Sequence, residues 1–339
     1  MKSKFICVAI CIIAGLSSFA QDKSDFRISA SFPILSGGGY DYLTVDSASE
    51  KLYVSHGSQV NILNKTTGDS IGVIKAEKDV HGIAVVHSLG KGYVTNGSMN
   101  RVIVFDLATN KVLGFVPTGK FADGICYDNF SKKIITCNGM SKNMTVIDPR
   151  ADTVFATIQL TGWPETAVSD DKGRIYVNNA EKAEVDVIDG RTFKIIKNWP
   201  NKPGDGASGL AIDKESMRLF ATCGNKMLIV MDATNGNVIS NFPTDDGADG
   251  AGFDNKLKLA YSSNGAGTLT VVKELSADKY IALGNVETKP GGRTISVDQT
   301  THKIYLPSGK FNPPSKESFR PQMIPGTFKI LVVEGNQKK

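Results

Sequence analysis

Cysteine, histidine and tryptophan are scarce in this chain, and their scarcity excludes several kinds of protein. Among 339 residues there are 5 Cys, 4 His and 2 Trp. Only Cys126, Cys137 and Cys223 lie beyond residue 20, too few for a disulfide-stapled scaffold. An odd number leaves at least one thiol free or paired between chains, and we expect buried free thiols. Because CxxCH, HExxH and P-loop patterns are absent, attached c-type haem, a zincin site and a Walker-type loop are excluded.

Long apolar runs are absent except near the N-terminus. There "FICVAICIIAGL" follows Lys2 and Lys4 and precedes "SSFA", in which Ser18 and Ala20 form a small-x-small pattern. This is the pattern of a secretory signal peptide, so we predict cleavage after Ala20 and a periplasmic or secreted mature chain. The alternative is a membrane anchor, which the short apolar run disfavours. No transmembrane anchor is therefore expected.

The chain also lacks a large excess of either acidic or basic residues. The formal net charge is +5, and it falls to +3 when Lys2 and Lys4 leave with the signal peptide. A near-neutral chain has no strong electrostatic attraction for nucleic acid or for acidic membranes. We expect a monomer that binds neither.

The sequence does contain a repeat of about 42 residues. Similar strands, such as "YLTVD", "GICYD" and "TISVD", recur before a hairpin, and their last residues are separated by 40, 42, 42, 43, 41 and 44 positions. The marks that end these strands are Asp46, Val86, Asp128, Asp170, Asp213, Asp254 and Asp298. A large side chain follows most marks by seven residues, often tyrosine, as in Tyr53 and Tyr93. Such a period indicates one supersecondary unit repeated along the chain.

Each unit reads as four short β-strands. The second unit contains "GIAVV", "GYVTNG", "RVIVFD" and "KVLGFV", which are rich in Val and Ile and separated by Gly, Asn and Asp. No segment shows a sustained helical period. We therefore predict an all-β, seven-bladed β-propeller with four-stranded blades, rather than a linear β-solenoid.

The last unit predicts how the ring closes. After "TISVD", "KIYLPSG" and "FKILVVE" it lacks a fourth strand, whereas "FRISASFPI", from Phe26 to Ile34, is a spare one. We predict that this segment is the outer strand of the last blade, which protects the sheet edge. The predicted domain is 21–339, with blades that start near 37, 79, 121, 163, 206, 247 and 290.

The tetrapeptide "YVTN" at Tyr93 to Asn96, followed by Gly97, "VIVFD" and "TNKVLGFVPTG", carries a family resemblance. The mature chain resembles the YVTN-repeat β-propellers, the YncE-like group of secreted bacterial proteins. The resemblance implies an extracytoplasmic location and binding of a ligand or macromolecule, and some relatives are linked to DNA binding. Units three, five, six and seven depart from the motif with "IITC", "FATC", "AYSS" and "IYLP". The motif therefore predicts the fold and not the function.

Polar residues recur five positions before every strand-end mark. They are Asp41, His81, Asp123, Glu165, Ser208, Asp249 and Arg293. Because the innermost strands of a propeller line its channel, we predict that these residues form a ring, here called the channel ring. Four acids and one Arg give it a formal charge of −3 with His81 neutral. The channel ring is the main candidate ligand-binding site.

Three interpretations of the channel ring remain open. Its carboxylates could bind a divalent cation, which prefers carboxylate oxygens. Its acids and histidine could instead serve as general bases in a hydrolase or lactonase. It could also be a solvated channel mouth without ligand, in which Asp residues cap turns. The sequence alone assigns neither catalytic residues nor metal ligands.

Four further residues are weaker ligand-binding candidates on the same face: His56, Trp163, Phe311 and Arg320. His56 could approach Asp41 and His81, and two histidines with a carboxylate could hold a transition metal. Phe311 and Arg320 belong to a proline-rich loop at 310–326, of the kind that often binds ligands. The basic and aromatic residues of this face could contact DNA, although the acidic ring opposes that.

These patterns lead to two main hypotheses. The first is a binding scaffold that holds a small polar ligand, a cation or a protein partner at the channel mouth. The alternative is a metal-assisted lactonase or hydrolase that uses the channel ring, and DNA binding is the least favoured. No cofactor is indicated apart from a divalent cation.

Overall fold

Four-stranded antiparallel sheets, seven in all, form the part of the chain that a computed structural model describes, residues 26–313 and 322–335. The predicted signal peptide lies outside the described residues. The first strand, β1 (Phe26–Pro33), belongs to the last sheet, and the other six sheets each use four consecutive strands. The prediction of a seven-bladed all-β propeller is confirmed.

Blades one to three contain strands β2 to β13. Blade one comprises β2 (Tyr40–Val45), β3 (Lys51–His56), β4 (Gln59–Asn64) and β5 (Ser70–Lys75). Blade two comprises β6 (Val80–Val86), β7 (Lys91–Asn96), β8 (Arg101–Asp106) and β9 (Val112–Pro117), with two 3-10 helices at His87–Leu89 and Gly97–Met99. Blade three comprises β10 (Ala122–Asp128), β11 (Lys133–Asn138), β12 (Asn143–Asp148) and β13 (Thr153–Gln159).

Blades four to six contain strands β14 to β25. Blade four comprises β14 (Pro164–Ser169), β15 (Arg174–Asn179), β16 (Glu184–Asp189) and β17 (Lys194–Pro200). Blade five comprises β18 (Ala207–Asp213), β19 (Arg218–Cys223), β20 (Met227–Asp232) and β21 (Val238–Pro243). Blade six comprises β22 (Ala248–Asp254), β23 (Leu259–Asn264), β24 (Thr268–Ser276) and β25 (Lys279–Glu287).

Blade seven joins the two ends of the chain. Its strands are β26 (Ser296–Val297), β27 (Ile304–Ser308), β28 (Lys329–Gly335) and then β1 on the outside. β1 runs antiparallel to β28, with Phe26 opposite Gly335 and Pro33 opposite Lys329. The predicted closure by the N-terminal strand is thus confirmed, and β1 covers the backbone groups of β28 that would otherwise form an open edge.

Burial explains why strand alternation is weak in the sequence. The two middle strands of a blade lie between neighbouring sheets, so in β7 and β8 nearly every residue is buried. Outer strands such as β9 are buried on one face only. Strands covered on both faces need continuous Val, Ile and Tyr, and this is the composition that the repeat shows.

In blades two, four and seven the repeated tyrosine ties one blade to the next, whereas the hydroxyl groups of Tyr53 and Tyr261 have no hydrogen-bond partner. Tyr93, Tyr176 and Tyr305 lie on second strands and are fully buried. Their hydroxyl groups donate hydrogen bonds to a carbonyl oxygen just after the third strand of the following blade: Tyr93 to Pro149 (3.1 Å), Tyr176 to Ala233 (2.7 Å) and Tyr305 to Lys65 (2.8 Å). A buried phenol needs such an acceptor. In these three blades the tyrosine that marks the repeat is therefore an inter-blade contact.

The three described cysteines, Cys126, Cys137 and Cys223, are free thiols. Cys126 on β10 lies opposite Ile135, not opposite Cys137, in the strand register. Burial raises the pKa of Cys126 and of Cys223 to about 12. These thiols are protonated core residues rather than reactive groups.

Among residues 26–313 and 322–335, no helix is long and apolar enough to span a bilayer.

Candidate functional site

The channel ring is assembled by the inner strands of the blades. Six of its residues lie on β2, β6, β10, β14, β18 and β22: Asp41, His81, Asp123, Glu165, Ser208 and Asp249. Arg293 precedes β26 and lies outside any strand. Inner strands of neighbouring blades pack against each other, so equivalent positions converge at the channel.

His81 is surrounded by three carboxylates. Its Nδ1 lies 2.6 Å from Asp41 Oδ2 and 3.5 Å from Asp123 Oδ1. Its Nε2 lies 3.4 Å from Asp79 Oδ1, which is a charge contact rather than a hydrogen bond. His81 is 9% exposed and Asp123 is 8% exposed, so these charges meet in a largely desolvated place.

Arg293 connects two acids of the channel ring. Its Nη1 donates to Asp249 Oδ2 at 2.8 Å, and its Nη2 donates to Asp41 Oδ1 at 3.2 Å. Ser208 donates a hydrogen bond from Oγ to the backbone oxygen of Asp249 at 2.8 Å. Six of the seven predicted residues thus form one chain of contacts, Asp123–His81–Asp41–Arg293–Asp249–Ser208, and Glu165 lies apart from it.

Burial and mutual repulsion perturb the acids. Burial, with the charges of Asp249 and Asp41, raises the pKa of Glu165 to about 7. Burial also raises the pKa of Asp249, although Arg293 opposes the shift. The pKa of Asp123 is raised well above its usual range by burial, and the charge of Asp41 adds to that. These raised pKa values mean that the ionised form of the acids is disfavoured in this place, and a cation bound beside them would stabilise it.

His81 is the exception because its neighbours are acids. Burial alone would lower its pKa, but the hydrogen bond to Asp41 and the charges of Asp123 and Asp79 raise it to about 9. In the absence of a ligand, His81 is therefore a protonated cation at neutral pH.

Tyr42 also belongs to this site, although the repeat pattern does not single it out. Its pKa is raised well above the usual range by burial and then by the charges of Asp123, Asp41, Glu165 and Asp249. Its phenol is therefore within electrostatic reach of all four acids of the channel ring. Its position next to Asp41 on β2 is the only sequence signal, because the repeat has no equivalent aromatic residue in the other blades.

Side chains on second strands hold the channel ring in place. Thr95 Oγ1 donates to the backbone oxygen of Asp123 at 2.5 Å, and Ser263 Oγ donates to that of Arg293 at 2.7 Å. Asn178 Nδ2 donates to the backbone oxygen of Ser208 at 3.1 Å. Each bond runs from one blade to the inner strand of the next. The Thr of the YVTN motif therefore positions a ring residue of the neighbouring blade.

Two residues next to His81 have an unusual backbone conformation. Asp79 and Phe121 precede inner strands and have φ of 59° and 61°, where blades five and six use Gly206 and Gly247. A bulky residue at positive φ is strained, and such strain is often found at functional sites. The Phe121 ring packs 5.1 Å from the His81 ring, while Asp79 faces its Nε2.

His56 does not join the channel ring. Its Nε2 donates to the backbone oxygen of Gly38 at 3.0 Å, and its Nδ1 accepts from Ser36 Oγ at 2.8 Å. Its ring packs against Phe328 at 4.2 Å, and burial lowers its pKa. Both ring nitrogens are used where blades seven and one meet. The expected approach of His56 to Asp41 and His81 is therefore wrong.

Of the remaining candidates, Phe311 lines the mouth of the channel. The ring centroids of Trp163 and Phe121 are 6.0 Å apart, and those of Phe311 and Tyr40 are 6.2 Å apart. Arg320 lies outside the described residues. In the part of the 310–326 loop that is described, Phe311 forms a β-bridge with Met323. A cavity of about 910 Å³ is lined by Gly38, Gly39, Tyr40, Gly265, Pro290, Gly291, Arg293, Phe311, Gln322 and Met323.

One group of ring residues has the geometry of a metal site. One donor atom each from Asp41, His81 and Asp123 lies within 4.8 Å of the others. In the described part of the chain this is the only group of three or more His, Cys, Asp or Glu residues with such geometry. The prediction of a transition-metal site around His56, Asp41 and His81 is thus replaced by a group in which Asp123 takes the place of His56.

Comparison with known proteins agrees with the repeat motif. No protein-family model matches the chain. Over 203 residues the chain is 22% identical to the uncharacterized protein YncE of Salmonella typhi and, equally, to YncE of Salmonella typhimurium strain LT2. The match covers 57% of this chain and 56% of each YncE, so the chain spans little more than half the length of the curated relatives.

A solved structure has the same architecture. A chain of Kuenenia stuttgartiensis hydrazine synthase matches with a TM-score of 0.69 and 15% identity, over 78% of this chain and 91% of that chain. At this identity the likeness shows the fold alone. The YVTN motif, the seven-bladed fold and the match to YncE together support a relationship between this chain and the YncE-like β-propellers.

Proposed function

We propose that the protein is a binding scaffold whose channel mouth holds a small polar ligand through a positively charged group. The excess of acid in the channel ring carries the proposal. Four carboxylates face one guanidinium there, which leaves a formal charge of −3 with His81 neutral and −2 with His81 protonated. Partly desolvated charges that lack partners within the protein are costly, and a cationic ligand offsets that cost.

The excess negative charge of the channel ring is concentrated at Glu165. Arg293 pairs with Asp41 and Asp249, and His81 faces Asp41 and Asp123. Among the described residues Glu165 forms no ion pair with a basic side chain; the charge of Arg293 and a hydrogen bond with Trp163 only partly oppose the rise of its pKa. Glu165 is therefore the acid with the greatest need of an external cation.

The mouth offers room for the rest of such a ligand. The cavity of about 910 Å³ has Arg293 in its lining together with Tyr40, Phe311 and Met323. Small-molecule pockets commonly measure about 300–1,000 Å³ and combine apolar walls with a few polar groups. A ligand with a positive end in the channel ring and a flat or apolar body in the cavity fits this arrangement.

Isothermal calorimetry tests the proposal with spermidine and Mn²⁺ as cationic probes and single-stranded DNA as an anionic probe. We expect the cations to bind and DNA not to bind, with affinity falling at higher salt. Glu165→Gln and Asp249→Asn should weaken cation binding by about 10-fold, equivalent to roughly 1.4 kcal/mol. Glu181→Gln, an exposed acid paired with Lys142, is the matched control. Equal affinity in all variants, or binding of DNA alone, would contradict the proposal.

A lactonase or hydrolase activity is the second candidate, and Glu165 favours it. A carboxyl group with a pKa of about 7 is suited to act as a general base near neutral pH. It could take a proton from a water molecule that attacks a lactone or ester in the mouth. A panel of lactones and esters tests this idea: turnover that is lost in Glu165→Gln supports it, and the absence of turnover above the uncatalysed rate excludes it for those substrates.

We also propose that the protein acts outside the cytoplasm, on the basis of the signal-peptide pattern of residues 1–20. The intact mass of protein expressed with its leader in a bacterial host tests this. Processing to a chain that begins at Gln21 supports the proposal, and an unprocessed chain contradicts it.

A further inference from the structure

We propose that Asp41, His81 and Asp123 form a binding site for one divalent transition-metal ion of the Zn²⁺ or Mn²⁺ class. This inference rests on the proposed function in that it assigns a cation to the same channel ring. It adds the chemical class of that cation, the three donor atoms and the side chains that orient them.

The donor atoms already converge. His81 Nδ1 lies 2.6 Å from Asp41 Oδ2 and 3.5 Å from Asp123 Oδ1. All three atoms lie within 4.8 Å of one another. Ligand atoms around a metal ion at about 2.0–2.2 Å are separated by distances of this order, so small side-chain rotations suffice.

Unsatisfied polar atoms provide a second, independent observation. Asp123 Oδ1 is a buried atom without a hydrogen-bond partner, on a residue that is 8% exposed. His81 Nε2 also lacks a hydrogen bond, but it faces Asp79 Oδ1 at 3.4 Å and not the other two donor atoms. Native proteins satisfy nearly all buried polar atoms, so each such atom calls for an explanation. The unpaired Asp123 oxygen lies 3.5 Å from His81 Nδ1, and a metal ion between the two would satisfy it.

Neighbouring side chains would orient these ligands. Asp79 Oδ1 lies 3.4 Å from His81 Nε2, and Ser98 Oγ donates to Asp79 Oδ2 at 2.8 Å. A carboxylate behind one ring nitrogen is the usual arrangement when the other nitrogen binds a metal. Arg293 holds the second oxygen of Asp41 at 3.2 Å, which leaves Oδ2 directed at the site.

The donor set decides the class of metal. One imidazole nitrogen and two carboxylate oxygens suit Zn²⁺, Mn²⁺ and related ions. Ca²⁺ would need six to eight oxygen ligands, about twice as many groups as the site contains. Three protein ligands also leave a coordination position open toward the channel, where a water molecule or an oxygen of the bound ligand can enter.

The charges agree with this assignment. Two ionised aspartates neutralise a divalent ion when His81 is neutral, so the bound site has no net charge. The ion contributes two positive charges, whereas a proton on His81 contributes one. The formal charge of the channel ring is then −1, compared with −2 when His81 is protonated and no metal is bound.

Metal titration of the chelator-treated mature protein tests the inference. Zn²⁺ binding is followed by calorimetry, and Co²⁺ binding is followed by visible absorption. The Co²⁺ spectrum reports whether nitrogen and oxygen ligands surround the ion. We expect one ion per chain. Asp123→Asn and His81→Gln each remove a ligand and should weaken binding by at least about 100-fold, whereas loss of an orienting group costs about 10- to 100-fold. Asp79→Asn, which alters only the residue behind the imidazole, should cost about 10- to 100-fold.

His302 provides the matched control. Its Nδ1 lies 2.8 Å from Asp254 Oδ2, and its side chain is 10% exposed against 11% for His81, but among the described residues it has no third donor. His302→Gln should leave metal affinity and stoichiometry unchanged. If His81→Gln fails to fold, as judged by circular dichroism, Asp123→Asn decides the question.

The outcomes separate this inference from the proposed function. Binding of spermidine without stoichiometric Zn²⁺ or Co²⁺ overturns the metal site and leaves the cationic-ligand proposal standing. Loss of both kinds of binding overturns both proposals. Metal binding of unchanged affinity in Asp123→Asn and His81→Gln places the ion elsewhere and also overturns the inference.

Discussion

Thr95 donates a hydrogen bond to the backbone oxygen of Asp123 at 2.5 Å, from the second strand of one blade to the inner strand of the next. Thr95 is the third residue of the YVTN motif, and Asp123 is a member of the channel ring. Tyr93, the first residue of the motif, reaches the same neighbouring blade at Pro149. The motif that builds the fold therefore also sets the positions of the residues at the candidate site.

Tyr93→Phe should destabilise the protein, because the single hydroxyl proton is shared between two acceptors, Pro149 O at 3.1 Å and Asp152 Oδ1 at 2.9 Å. The loss of these bonds and the acceptors left behind should reduce the free energy of unfolding by about 1–3 kcal/mol. Tyr53→Phe is the matched control, since its buried hydroxyl has no hydrogen-bond partner. Removing an unsatisfied hydroxyl should be neutral or stabilising. Urea denaturation of the two variants compares them, and equal destabilisation would contradict the inter-blade role.

Gly97→Ala should disturb the channel ring without unfolding the propeller. A Cβ atom at Gly97 would lie 2.6 Å from His81 Nε2 and 3.1 Å from Asp79 Oδ2, so these side chains must move. We expect cation affinity to fall by about 10-fold or more, as for loss of an orienting group. Gly114→Ala in the same blade is the control, because no atom lies within 4 Å of the position that its new methyl group would take. Calorimetry decides, and unchanged affinity in Gly97→Ala would mean that His81 is not involved.

Glu165 should make stability depend on pH with a defined sign. Its pKa is about 7 in the folded protein and 4.5 in the unfolded chain, so the folded state binds more protons between these values. Stability therefore falls as the pH rises from 4.5 to 7, by up to roughly 3 kcal/mol for the whole shift. Glu165→Gln should remove this loss, so the variant should be more stable than the wild type at about pH 8 but not at about pH 4. Thermal unfolding across this pH range checks it, and parallel curves for both proteins would contradict the shift.

Deletion of β1 should open blade seven. Without Phe26–Pro33 the backbone of β28 becomes an exposed edge, and buried Phe32 is lost from the core. Exposed edges promote association between chains, so we expect a lower melting temperature and oligomers in size-exclusion chromatography. A synthetic peptide "FRISASFPI" should restore the monomer by strand addition, whereas a scrambled peptide should not. A monomeric, equally stable deletion variant would contradict the closure.

The fold could be predicted from the sequence because each blade repeats the same physical problem. Every unit must bury both faces of its middle strands, and this requirement recurs in the sequence as large buried side chains at a spacing of 40 to 44 residues. The last unit has only three strands, and the N-terminal segment is a strand without a unit. The pairing of β1 with β28 could therefore be predicted as well. The constant offset in the sequence corresponds to direct contacts among six of the seven ring residues.

The contacts within the channel ring could not be predicted, because they depend on side-chain reach and rotation. Spacing alone does not reveal that Arg293 joins Asp41 to Asp249, or that His81 lies against both Asp41 and Asp123. The positive φ values of Asp79 and Phe121 could not be predicted from these residue types. The only sequence signal is that blades five and six have Gly206 and Gly247 at the equivalent positions. Tyr42 was missed because it has no counterpart in the repeat.

Binding of a metal ion by Asp41, His81 and Asp123 is the central claim, and diffraction from crystals grown with Zn²⁺ tests it most directly. Anomalous differences measured on both sides of the zinc edge locate the ion without reference to affinity. We predict a peak bounded by Asp41, His81 Nδ1 and Asp123, at about 2.0–2.2 Å from each donor atom. A map with no peak in the channel ring, and with His81 Nδ1 still bonded to Asp41, would contradict the claim.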